Sequence, residues 1–154
     1  MRLCLQALGK DIRPEGTNRM EFHVRTNQGE YDLEAHVLSI GEDLLVAISG
    51  GEKPHIGAVA VAQPRPSLKE PTVTSATASV ICYVGHKEDD LAKQAGEKLA
   101  ALFNTRVVVT AGIHWDNLSE EGIQEVMRHS RLLLDLVVGR IEAESSSPVT
   151  GGKP

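Results

Sequence analysis

Apolar and polar positions alternate from Arg19 onward, and that alternation organises the first half of the chain. Over 19–26, Met20, Phe22 and Val24 fall on one side and Glu21, His23 and Arg25 on the other, which predicts a half-buried strand. Asn27-Gln28-Gly29-Glu30 predicts a turn. Tyr31 to Ile40 alternates again, with Leu33, Ala35 and Val37 opposite Asp32, Glu34 and His36. Gly41-Glu42-Asp43 turns the chain into Leu44-Leu45-Val46-Ala47-Ile48, whose unbroken apolar run predicts a more central strand. After a Gly-rich connection, Ile56 to Ala62 forms a further strand of small apolar residues. Residues 1–18 show no clear period; a short strand ending at Gly9 is the one element they offer.

Three prolines in Gln63-Pro64-Arg65-Pro66-Ser67-Leu68-Lys69-Glu70-Pro71 predict irregular chain, a mobile lid or a linker. Thr72 to Val84 is rich in Thr, Ser, Ala and Val and reads as a long strand. The period then changes. Leu91, Ala95, Leu99 and Leu102 mark one face of a helix over 88–103, and Glu88, Asp89 and Asp90 put negative charge at its N-terminus. Val107-Val108-Val109 opens a strand that runs to His114. A final helix begins at Asn117 or Ser119, either a suitable cap, and its expected buried stripe is Ile123, Met127, Leu134, Val137 and Ile141. Leu132, Leu133 and Leu136 widen the stripe beyond one contact, which predicts a subunit interface.

Five or six strands, a helix, a strand and a helix describe an α+β domain with a mainly antiparallel sheet. A single domain is expected over 1–143, with 144–154 as a disordered Ser/Gly/Pro tail.

Composition narrows the function. The chain has 154 residues, 41% hydrophobic, enough for one core without disulfides or a structural metal. A net charge of -5 argues against a nucleic-acid partner, and 3% aromatic residues leave no platform for stacking bases. Cys4 and Cys82 lack zinc-site spacing, and Cys82, in an apolar run, is expected to be a buried thiol. The first ten residues have too short an apolar core for a signal peptide, and no stretch approaches the ~20 apolar residues that span a bilayer. A soluble, cytoplasmic protein without a membrane partner is expected.

Histidines carry the candidate chemistry. His55, His86 and His114 each sit near glycine at an element end, in Gly50-Gly51-Glu52-Lys53-Pro54-His55-Ile56-Gly57, Gly85-His86-Lys87 and Gly112-Ile113-His114. Tracing the strands up and down brings all three to one rim of the sheet, together with the N-termini of both helices. Gly50 and Gly51 allow close backbone approach there. Between residues 53 and 87, Lys53, Arg65, Lys69 and Lys87 oppose Glu70 alone, a local net of +3. Such a rim suits a phosphate, held directly or through a divalent metal on the imidazoles. The candidate binding set is Gly50, Gly51, Lys53, His55, Gly57, His86, Gly112 and His114, with His55, His86 and His114 as candidate metal ligands. His23 and His36 on polar strand faces, and His129 in mid-helix, read as surface residues. Asp116 and Glu120 read as helix-capping acids rather than a catalytic pair, and Trp115 as either a flat-ring partner or a staple at the helix start. The loop 63–71, with Arg65 and Lys69, is expected to order over a bound anion. Walker, dinucleotide, nucleophile-elbow and HExxH motifs are all absent.

Leu45-Val46-Ala47-Ile48-Ser49 with the following GGEKPHIG segment, the Gly85-His86 step, and Val107-Val108-Val109-Thr110-Ala111-Gly112-Ile113-His114 together resemble the small prenylated-flavin chaperones. These are the D proteins encoded beside UbiD-type aromatic-acid decarboxylases. The resemblance covers roughly 20–142. That family in turn is similar to the fourth proteasome assembly chaperone, an α+β fold. The resemblance implies a non-catalytic, homodimeric carrier of prenylated FMN, or FMN, working with a UbiD-type decarboxylase and a flavin prenyltransferase. Two alternatives stay open: an assembly chaperone or accessory decarboxylase subunit that binds no flavin, and a small metal-dependent enzyme using the three histidines.

Overall fold

A computed structural model describes residues 20–85 and 87–146. Five strands come first: β1 (Glu21–Arg25), β2 (Leu33–Ile40), β3 (Asp43–Gly51), β4 (Ala58–Pro66) and β5 (Thr74–Cys82). Helix α1 (Asp89–Phe103), strand β6 (Val107–His114) and helix α2 (Glu120–Ser146) complete the described residues. The strands form one sheet in the order β1-β2-β3-β6-β4-β5. Every pairing is antiparallel except β3 with β6. The α+β architecture expected from the sequence is the one observed.

Alternation sets the layers. Phe22, Leu33, Ala35, Val37, Leu44, Val46, Ile48, Ala58, Ala60, Ala62, Val107, Val109 and Ala111 are buried on one sheet face beneath the helices. Small residues let α1 settle close: a Cβ on Gly96 would lie 3.1 Å from the Cβ of Ala62. Among the described residues, no helix covers the other face. There His23 and His36 pair across β1 and β2, reaching Glu34 at 3.3 Å and Glu21 at 3.4 Å, and both are about half exposed, as expected of surface histidines. β3 is central, as its apolar run predicts, yet only alternate residues are buried, because its outer face is open.

The Pro-rich segment departs from expectation. β4 continues through Pro64 and Pro66, paired with Ala76 and Thr74 of β5. Its pairing with β6 ends at Ala62, so Pro64 and Pro66, two residues apart, share an edge where a missing N–H costs no ladder bond. The chain then turns tightly, with Ser67 donating to the Val73 carbonyl and Val73 to that of Glu70. This hairpin lies at the end of β4 opposite Gly57. At about 3.3 Å per residue, Arg65 is roughly 25 Å from the rim where β4 begins. Arg65 and Lys69 therefore do not close over that rim.

Helix α2 departs on two counts. Its buried residues are Gly122, His129, Leu133, Val137 and Ile141, so Ile123 and Met127, expected in the stripe, stand about half exposed at 49% and 53%. His129, expected at the surface, is 2% exposed. Its Nδ1 donates to the Tyr31 carbonyl at 2.7 Å, and Arg128 donates to its Nε2 at 2.8 Å. Ser119, not Asn117, caps the helix: its hydroxyl accepts from the Gly122 N–H at 3.1 Å. The helix runs through Ser146, past the expected boundary at 143. Cys82 is half-buried rather than buried, because β5 is the edge strand. The possible strand at 1–18, Cys4 and the tail beyond 146 lie outside the described residues.

Candidate functional site

Strands β3 and β6 run parallel and end side by side, with Gly51 opposite His114. The chain leaving β3 stays beside β6: the N–H groups of Glu52 and Lys53 both point at the His114 carbonyl, at 2.7 and 3.4 Å. It re-enters the sheet where Gly57 donates to the Ala111 carbonyl. His55 is thereby laid across the top of β6, and its ring lies 6.3 Å from that of His114, edge to face. The topological expectation for these two histidines holds. His86 lies outside the described residues.

Glycines make this approach possible. A Cβ on Gly112 would overlap the His55 carbonyl oxygen, and one on Gly51, whose φ is +85°, would overlap that of His114. A Cβ on Gly57 would lie 2.6 Å from Glu88 Oε2 and 3.0 Å from His55 Nε2. Gly50 packs on Leu33. The close approach that these glycines permit is that of the chain to itself, so their presence is explained before any ligand is considered.

Carboxylates meet Lys53, His55 and His114. Glu88, whose side chain is only 12% exposed, places Oε1 3.6 Å from His55 Nε2. The same carboxylate accepts from the N–H of Ile113 at 3.4 Å and of Lys87 at 2.9 Å. Asp116 accepts from Lys53 Nζ at 2.6 Å and His114 Nε2 at 2.9 Å, and its own N–H donates to Glu52. Asp116 thus neither caps α2 nor pairs with Glu120. Lys53 and His114 meet Asp116 and His55 meets Glu88 here, so carboxylates offset the positive excess that the sequence implied. The Trp115 ring packs edge to face on Tyr31 at 5.5 Å.

The imidazole protons follow from these partners. His55 Nδ1 is 2.9 Å from the Lys53 carbonyl, which only accepts, so the proton sits on Nδ1. His114 donates through Nε2 to Asp116. A histidine whose one nitrogen is tied to a carbonyl or carboxylate has the orientation metal-binding imidazoles use. Among the described residues, however, no three His, Cys, Asp or Glu side chains gather closely enough to hold an ion.

Lys53, first through its hydrogen bond and then through its charge, holds the Asp116 carboxyl below the usual 3.8, with His114 contributing; Asp116 in turn raises Lys53 above 10.5. The carboxylate's contribution is therefore full above its ordinary range and is lost as pH falls through its lowered value. The lysine's is full below its ordinary range and is lost as pH rises through its raised value. Carboxyl carbon NMR is expected to show Asp116 titrating below 3.8, and Lys53→Met is expected to move that titration upward. An identical Asp116 titration in both proteins would mean that the pair does not form in solution.

Glu88 is the functional candidate that the sequence reading passed over as helix-terminal charge. It precedes α1 without capping it through its side chain, and glutamate is an uncommon cap where Ser, Thr, Asp or Asn is preferred. That mismatch, directly after Gly85-His86-Lys87, is the signal that singles it out.

The rim and both helix starts fall inside residues 27–142, which match the family model described as the prenylated flavin chaperone LpdD-like domain. The chain belongs to that family. An LpdD-like chaperone relative, Protein LpdD of Lactiplantibacillus plantarum, is 27% identical over 131 residues, spanning 84% of this chain and 89% of the relative. The fold is also similar to a chain in the crystal structure of a chaperone complex for yeast 20S proteasome assembly, with a TM-score of 0.47 and 14% identity over 82% of this chain and 95% of that one. Among the described residues, no helix of this LpdD-like protein is long and apolar enough to cross a membrane.

Proposed function

We propose that this LpdD-like chaperone is a non-catalytic carrier that binds prenylated FMN and delivers or protects it for a UbiD-type decarboxylase, receiving it from a flavin prenyltransferase. The observation that carries this reading is the family match over 27–142, which contains His55, His86 and His114 together. The residues suit a flavin in one respect: apolar side chains of α1 and α2 stand open beside the rim. Direct phosphate contact by Lys53 and His114 is less well supported, because Asp116 already holds both. Carboxylates beside imidazoles favour the other route, a divalent cation that bridges His55 and His114 to the phosphate, with His86 or phosphate oxygens completing its ligands. Co-expression with a flavin prenyltransferase tests the carrier role. The purified protein is expected to absorb in the flavin range and to release a cofactor with the mass of prenylated FMN; colourless protein would remove the proposal.

The carrier is proposed to be a homodimer. Leu133 of the expected interface is in the core, but Leu136 on α2 and Val61 and Ile81 on the open sheet face remain exposed at 38%, 56% and 74%. Burying side chains of this size is worth about 1.5–3 kcal/mol each, so a few per chain suffice to hold two copies. Light scattering at micromolar concentration is expected to give twice the chain mass; a clean 16.6 kDa particle would exclude the dimer.

A further inference from the structure

The first turns of α1 and α2 do not close over the top of β6. Between them lies a groove of about 220 Å³, walled by Leu91 of α1, Ile113 of β6, Leu118 of the following turn, and Ile123, Val126 and Met127 of α2. Ile123 and Met127 are the residues whose period promised burial, and they are half exposed because they face this opening rather than the sheet. The groove shares Glu88 with the histidine rim. Lys87 and Glu88 line it, and the Glu88 carboxylate lies against His55 while accepting from the N–H of the wall residue Ile113.

Apolar walls beside Lys87 and Glu88 suit a small molecule with one apolar and one polar end. Volume decides how much of it enters. Sites that enclose a whole drug-sized ligand measure about 300–1,000 Å³, so a groove of about 220 Å³ receives only part of one. We propose that this groove seats the apolar ring end of the flavin-type ligand, with its phosphate-bearing tail lying outward across the His55–His114 rim. The proposal rests on the carrier reading and adds the place and orientation of the ring.

The test uses the full-length chain and two probes: prenylated FMN, and lumichrome, which has the bare ring without the tail. Met127→Glu and Ile123→Glu put a charge on half-exposed walls, where folding tolerates it; Met127→Leu keeps the volume. Both Glu variants are expected to bind prenylated FMN about tenfold or more weakly, since a carboxylate in the groove opposes burial of an apolar ring. Met127→Leu is expected to bind like the parent chain. Lumichrome is expected to lose affinity in the Glu variants but not in His55→Ala. Without any substitution, lumichrome is expected to shift the Met127 methyl resonance in methyl-labelled protein and leave that of Met20 in place. Parent-like binding by the Glu variants while His55→Ala is impaired would overturn the groove and leave the carrier reading standing. Loss of decarboxylase binding in the Glu variants, with ligand affinity intact, would assign the groove to a protein partner instead. If the parent chain binds neither probe, the carrier reading and the groove fall together.

Discussion

Gly112→Ala is expected to dismantle the rim. The added Cβ overlaps the His55 carbonyl oxygen, which is backbone held between the Glu52 and Gly57 hydrogen bonds to β6 and cannot swing aside as a side chain would. Relief requires lifting the 52–57 segment off β6, separating His55 from both His114 and Glu88. Overpacking of this kind costs about 1–3 kcal/mol, and loss of the ligand site is expected with it. Gly57→Ala makes the informative partner. Its Cβ meets Glu88 Oε2 at 2.6 Å and His55 Nε2 at 3.0 Å, the ends of side chains that can rotate, so the backbone stays in place while Glu88 leaves His55. Chemical denaturation and prenylated-FMN titration of the two variants separate these effects. If Gly112→Ala unfolds and binds as the parent chain does, the 52–57 segment does not lie where it is described.

The second large effect is expected far from the rim. His129→Ala removes a side chain that is 2% exposed and leaves the Tyr31 carbonyl without its 2.7 Å donor. A cavity and an orphaned buried acceptor together cost about 2–5 kcal/mol, a large share of the roughly 5–15 kcal/mol that stabilises a domain. His36→Ala, on the open sheet face, is expected to stay within about 0.5 kcal/mol of the parent. Equal urea midpoints for the two variants would contradict the buried position of His129. His36→Ala, not His129→Ala, is accordingly the neutral control for ligand binding by rim variants.

These two positions also show where sequence legibility ends. Strands β1 to β3 and helix α1 were readable because period-two and period-3.6 patterns report burial directly, and Leu33, Ala35, Val37, Ala95 and Leu99 are fully buried, though Leu102, on the same expected face of α1, is 56% exposed. The meeting of His55 and His114 was readable from strand directions alone. His129 was not, because it sits among Arg128, Ser130 and Arg131, and only the carbonyl of Tyr31, 98 positions away, gives it a reason to be inside. Pro64 and Pro66 hid the end of β4, since their tolerance depends on β6 stopping at Ala62. Ile123 and Met127 have the right period for a core but face a gap between helices, which no single helix's pattern encodes. The positive rim was overcounted because Arg65 and Lys69 belong to the far hairpin, while Glu88 and Asp116 neutralise what remains.

Transfer of the cofactor measures the proposed delivery directly. The chain, loaded with prenylated FMN and purified, is mixed with a UbiD-type decarboxylase prepared without cofactor, and both the flavin content of each protein and decarboxylation are followed. Flavin is expected to leave this chain, appear in the decarboxylase in matching amount and bring activity with it, whereas the loaded chain alone is expected to turn over no substrate. Activity that appears equally fast with free prenylated FMN and no chaperone, or flavin that never leaves the chain, would contradict delivery.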